Sequence, residues 1–135
     1  MYKFSKKSLT VYNTLHQDLQ KILDEMIQYF DITLICGYRD MKEQNEAYNS
    51  GKSKTPWPKS NHNKYPSRAV DIALYPINYE DKESFYMLAG AFMAIGLRLK
   101  SENKITLSPR TGADWDRDGQ TVDEKFCDIG HMEVI

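Results

Sequence analysis

Two short runs of this chain hold residue types at spacings suited to metal chemistry. The first spans residues 60–71 and contains Ser60, Asn61, His62, Asn63 and, nine positions after His62, Asp71. The second is Asp128-Ile129-Gly130-His131-Met132-Glu133, close to the C-terminus. The chain has only 3 histidines, so two of them lying beside carboxylates is informative. A set of His62, Asp71 and His131 offers three nitrogen or oxygen ligands and leaves a fourth tetrahedral position open. That is the layout of a catalytic zinc site, not of a closed structural one. A carboxylate left over, Asp128 or Glu133, is then free to activate a water at the ion. The chemistry implied is metal-dependent hydrolysis.

Each residue has a plainer reading beside this one. Asp71 sits among Ala69, Val70, Ile72, Ala73 and Leu74, where a charge is costly to bury unless it is paired or metal-bound. The plain reading pairs it with Arg68. In the second run, His131 and Glu133 fall on one face of a strand, and Gly130 is expected to bend the chain so that Asp128 approaches what His131 binds. The remaining histidine, His16, reads as a surface or helix-edge residue.

These side chains need elements to position them. Leu15, Leu19, Ile22, Leu23, Met26, Ile27 and Phe30 recur at three- and four-residue steps, which predicts one helix over about 8–30. A β-branched, apolar run predicts a buried strand over 32–37, followed by a polar helix over 41–49 and a Lys-, Ser- and Pro-rich loop over 51–59. Residues 68–74 read as a strand with Ala69, Asp71 and Ala73 on one face. Residues 82–97 read as a central buried helix, apolar nearly all round, with Gly96 at its end. A strand over 104–107, a polar turn region over 110–120 and a closing strand over 131–135 complete the reading. Within the turn, Asp114, Asp116 and Asp118 alternate; a solvated polar loop is preferred over a calcium site.

Composition narrows the field. The 135 residues suit one domain, 1–135, and are too few for a catalytic domain plus a separate binding module. With 18 Lys+Arg against 19 Asp+Glu, no bulk charge draws the chain to nucleic acid or to an anionic membrane. No signal peptide is read at the N-terminus, and no stretch reaches the length of a membrane span. Cys36 and Cys127 read as two buried thiols, neither disulfide-bonded nor zinc-binding, since neither belongs to a Cys-x-x-Cys pair.

The two runs together, Ser60-x-His62…Asp71 and Asp128-x-x-His131-x-Glu133, resemble zinc peptidases that cut peptidoglycan stem peptides. That family joins D-alanyl-D-alanine carboxypeptidases with L-alanyl-D-glutamate endopeptidases, many of them phage endolysins. Gly37-Tyr38-Arg39 with Glu43-Gln44, Gly51-Lys52-Ser53-Lys54-Thr55 and Gly112-Ala113-Asp114-Trp115 resemble further family segments, in the family's order. The resemblance implies an α+β fold, with an antiparallel sheet packed against helices in the Hedgehog/D-Ala-D-Ala-peptidase manner. It implies one Zn2+ per chain held by His62, Asp71 and His131, with Asp128 as general base. Arg39 would polarise the scissile carbonyl, Ser60 would orient substrate or a ligand, and Glu133 would hold His131 or a substrate amine. For Arg39 the plain reading is an ion pair with Asp40 or Glu43.

The implied activity is L-alanyl-D-glutamate endopeptidase, acting on the peptidoglycan stem peptide as a monomeric phage lysis enzyme. It would wait in the host cytoplasm and reach the periplasm and cell wall at lysis. A D,D-carboxypeptidase is the nearest alternative, with Lys52, Lys54 and Lys59 as cations for a terminal carboxylate. A non-catalytic wall-binding module has no need of Asp128, and a metal nuclease lacks a basic stripe. One departure stands out: many relatives separate the first His from the Asp by seven residues, and here Tyr65-Pro66-Ser67-Arg68 lengthens that turn.

Overall fold

The structure, a computed structural model, describes residues 1–122, 124 and 128–135. Its elements in chain order are α1 (Lys6–Tyr12), α2 (Gln17–Met26), β1 (Ile32–Cys36), α3 (Met41–Asn49), a 3-10 turn (Asn61–Asn63), β2 (Ala69–Leu74), α4 (Lys82–Ser101), β3 (Pro109–Gly112) and β4 (Asp128–Val134). The strands form one antiparallel sheet in the order β1-β2-β4-β3, giving the α+β architecture read from the sequence. Strands β2 and β4, which carry most of the candidate site, are central neighbours.

Alternation along the strands divides the sheet into a packed face and a working face. Val70 and Ile72 of β2 and Met132 and Val134 of β4 are fully buried with Leu19, Ile22, Leu23 and Met26 of α2 and Leu88 and Phe92 of α4. Burying each such side chain stabilises the fold by about 1.5–3 kcal/mol, so this layer is the rigid base on which the opposite face is built.

Several local departures from the sequence reading have physical causes. The helix expected over 8–30 is two helices, because residues 14–16 leave the spiral to pair with the chain before β2. His16 N donates to Ser67 O at 2.8 Å and Ser67 N to Thr14 O at 2.8 Å. His16 caps α2, its Nδ1 accepting the Asp18 N–H at 3.0 Å. No strand forms at 104–107: the buried Asp18 carboxylate accepts the N–H groups of Thr106 and Leu107 at 3.0 and 2.9 Å, taking donors that a ladder would use. The strand lies instead at Pro109–Gly112, overlapping the start of the 110–120 region read as a polar turn.

Helix α4 runs past Gly96 to Ser101, and Gly96 serves close packing, since a Cβ there would lie 2.7 Å from Pro109 Cβ. Nor is α4 buried all round, for Met87 and Leu97 are exposed. Gly130 lies within β4 and not at a sharp bend; what brings Asp128 round is a register slip. Thr111 pairs with Met132, yet its neighbour Gly112 pairs with Asp128, so residues 129–131 bulge away from β3, while His131 stays paired with β2.

Candidate metal centre

Strand pairing sets Asp71 of β2 directly opposite His131 of β4. Their neighbours Val70 and Met132 face the core, so Asp71, His131 and Glu133 share the working face. His62 arrives on the 3-10 turn, whose entry Ser60 caps. The Ser60 hydroxyl accepts the His62 N–H at 3.1 Å, and the Ser60 N–H donates to Asn63 Oδ1 at 3.1 Å. The Arg39 N–H donates to His62 O at 2.8 Å and ties this turn to the chain leaving β1.

The result is a convergence on one carboxylate oxygen. His62 Nε2 lies 3.4 Å and His131 Nδ1 3.5 Å from Asp71 Oδ1. Asp128 Oδ2 stands 3.9 Å from His131 Nδ1. The remaining ring nitrogens are engaged: His62 Nδ1–H donates to Gly37 O at 2.7 Å, and His131 Nε2–H donates to Glu133 Oε1 at 2.7 Å. Such bonds fix the tautomers and turn both free lone pairs inward, as metal-binding imidazoles require. His62 Nε2 and Asp71 Oδ1 are buried and have no hydrogen-bond partner among the described residues. Leaving two buried polar atoms unsatisfied is costly, and a cation between them removes that cost. The donor set, two imidazoles and a carboxylate, fits zinc.

Electrostatics without an ion tell the same story. Burial opposes a charged His62, but the Asp71 carboxylate overrides it and carries the imidazole up to about 10. Burial likewise disfavours Asp71 as an anion, yet the two histidines hold its carboxyl far below the usual range. His131 is raised against its burial by hydrogen bonds to Asp71 and Glu133. Glu133, opposed by burial, is drawn down to about 2 chiefly by its bond to His131. Asp128 shifts upward, through burial and then repulsion from Asp71. The anionic Asp71 thus favours positive charge between the two imidazoles, which a divalent cation would supply.

A cleft of about 270 Å3 opens over these groups, walled by Arg39, Lys52, Lys54, Trp115 and Asp128. Arg39 pairs neither with Asp40 nor with Glu43. Its Nη2 lies 3.3 Å from Asp71 Oδ2 and its Nη1 donates to Gln44 Oε1 at 3.3 Å. Asp71 therefore has Arg39, not Arg68, as its arginine partner. Glu133 is held from behind by Arg110, whose Nε donates to Oε2 at 2.7 Å and whose guanidinium lies 5.5 Å from the Trp115 ring centroid. Trp115 in turn packs 5.1 Å from the His131 ring.

Three contributors carry no assigned role in the sequence reading, Gln44 being named there only within the Glu43-Gln44 segment. Gln44, fully buried, binds Arg39, Asn63, the Ser53 hydroxyl and Thr55 O, and so fastens the 51–59 loop to the site. A buried glutamine on a polar helix gives no periodic signal. Arg110 is missed because its strand was read as a turn. Cys36 is half-buried, and its sulfur lies within 4.8 Å of donor atoms of His62 and Asp71; Cys127 lies outside the described residues. Farther off, Asp114, Asp116 and Asp118 cluster, with the Asp114 carboxylate accepting the Asp118 and Gly119 N–H groups of its own loop.

Comparison with known proteins gives two findings. A family described as phage L-alanyl-D-glutamate peptidase matches residues 1–135. The crystal structure of the Serratia marcescens L-Ala D-Glu endopeptidase ChiX is similar in fold, with a TM-score of 0.65 at 18% identity, over 98% of this chain and 90% of that one. No curated protein matches.

Proposed function

From the premise that this chain belongs to the phage L-alanyl-D-glutamate peptidase family, we propose that it is a zinc-dependent endopeptidase of peptidoglycan, residues 1–135 forming one zinc peptidase domain. The observation that carries this is the convergence of His62 Nε2, Asp71 Oδ1 and His131 Nδ1, two of them buried without hydrogen-bond partners among the described residues. These three residues would hold one zinc ion. When bound, zinc supplies Lewis acidity, which makes a coordinated water acidic near neutral pH, down from a pKa of about 16 to about 7.

The chain's own residues do the rest. Asp128 Oδ2 faces the cleft beside His131 and takes the proton of the attacking water, then delivers it to the leaving amine. Its upward shift makes it a stronger base than an ordinary aspartate, which favours uptake of that proton. Arg39 lines the cleft while braced by Asp71 and Gln44, and steadies the oxyanion, a contribution of about 3–4 kcal/mol for a well-placed donor. Ser60 holds the turn that carries His62, and Glu133 fixes the tautomer of His131. Lys52 and Lys54 on the cleft wall suit the carboxylates of a stem peptide. Among the described residues, no helix is long and apolar enough to cross a membrane. The role is that of a monomeric phage lysis enzyme meeting its substrate in the cell wall.

Digestion of purified peptidoglycan by the zinc-loaded protein, with products identified by mass spectrometry, tests this reading. Stem peptides released with a new N-terminal D-glutamate are expected. Loss of a single terminal D-alanine would make the enzyme a carboxypeptidase, and undigested wall with zinc bound would make it a binding module.

A further inference from the structure

Strand β1 does not end as it begins. Thr33 pairs with Ala73 and Leu34 with Ile72, so regular pairing would set Cys36 against Val70, on the core face. The register slips between Leu34 and Cys36, and Cys36 pairs with Asp71 instead. A bulge of this kind re-aims a side chain. Here one donor atom each from Cys36, His62 and Asp71 come within 4.8 Å of one another. Independently, His62 is 2% exposed and its Nε2, facing Asp71, has no hydrogen-bond partner among the described residues. Cys36 also lines a groove of about 820 Å3 beside Arg39, Lys52 and Tyr79, which gives the sulfur a path to solvent.

We propose that Cys36, His62 and Asp71 form a second donor set, selective for a thiophilic divalent cation such as cadmium and overlapping the first set at two residues. Sulfur, imidazole and carboxylate together favour a softer ion than two imidazoles and a carboxylate do. On binding, the Cys36 S–H bond breaks, its proton goes to solvent, and the sulfur donates its electron pair to the cation; nothing is oxidised or reduced. An ion so held draws His62 and Asp71 away from His131, so cadmium and zinc exclude each other. The inference rests on the proposed function only in taking His62 and Asp71 as metal donors.

The test is titration of the metal-free full chain with cadmium, following the ultraviolet thiolate-to-cadmium charge-transfer band in wild type, Cys36→Ser, Cys127→Ser and His131→Ala. The band should saturate at one cadmium per chain in wild type and Cys127→Ser, and excess zinc should erase it. It should be absent in Cys36→Ser, with cadmium bound at least about tenfold more weakly, while retained zinc binding shows that this variant is folded. A band surviving in Cys36→Ser, or lost in Cys127→Ser, overturns the proposal. His131→Ala separates the two readings: it should lose zinc yet keep the cadmium band. Failure of wild type to bind zinc would sink the proposed function and leave the cadmium result to decide this one.

Discussion

At the scale of single residues, the candidate centre depends on what lies behind its donors. Glu133 accepts from His131 Nε2 and is itself clamped by Arg110, so it sets which nitrogen of His131 faces the cleft. Glu133→Gln should weaken zinc binding by about 10–100-fold, measured by competition with a chromophoric chelator; unchanged affinity would show that the tautomer is fixed otherwise. His62 makes a second prediction through pH. Its folded pKa, about 10, lies above its ordinary value of 6.5, so the protonated form stabilises the metal-free fold. That contribution is complete below about pH 6.5 and is lost as pH rises through about 10. The denaturation midpoint of the metal-free protein should therefore fall across this window. Zinc replaces the proton, so the zinc-loaded protein should show no such fall; parallel curves would mean that the ion and the proton do not share a place.

At the scale of elements, two contacts decide where the strands lie. The Asp18 carboxylate receives two backbone donors from the segment ahead of β3, and Asp18→Ala would strip both of their acceptor. The cost should be about 1–3 kcal/mol in urea unfolding, with zinc affinity intact. Gly112 abuts the start of β4, and a Cβ there would lie 2.1 Å from Asp128 O. Gly112→Ala should displace Asp128 and lower the cleavage rate by about 100-fold, with zinc retained; full activity would mean that Asp128 is not placed by this contact. Neither contact was legible in the sequence. Periodicity showed α2, α4 and β2 because each buries a stripe or a face. It ran α1 into α2 because the break at residues 14–16 is made by pairing with Ser67, a partner over fifty positions away. It invented a strand at 104–107 because an apolar run says nothing of a distant aspartate.

At the scale of the whole molecule, the sheet works as a plate with helices on one side and chemistry on the other. The division follows from Val70 and Met132 alternating with Asp71 and His131 across a single antiparallel pair. That is why the candidate donors could be read in advance: a charge between apolar strand residues and two histidines beside carboxylates are local signals. Cys36 gives no such signal: it belongs to no Cys-x-x-Cys pair, and its approach to Asp71 comes from a register slip, which exists only once two strands are paired. The account as a whole stands on a division of labour between residues that hold zinc and one that moves the proton. Its most direct test measures zinc content and peptidoglycan cleavage together in Asp128→Ala and His131→Ala. The account predicts one zinc per chain with cleavage abolished in the first, and neither zinc nor cleavage in the second. Zinc near one per chain in His131→Ala, or cleavage near wild type in Asp128→Ala, would contradict it.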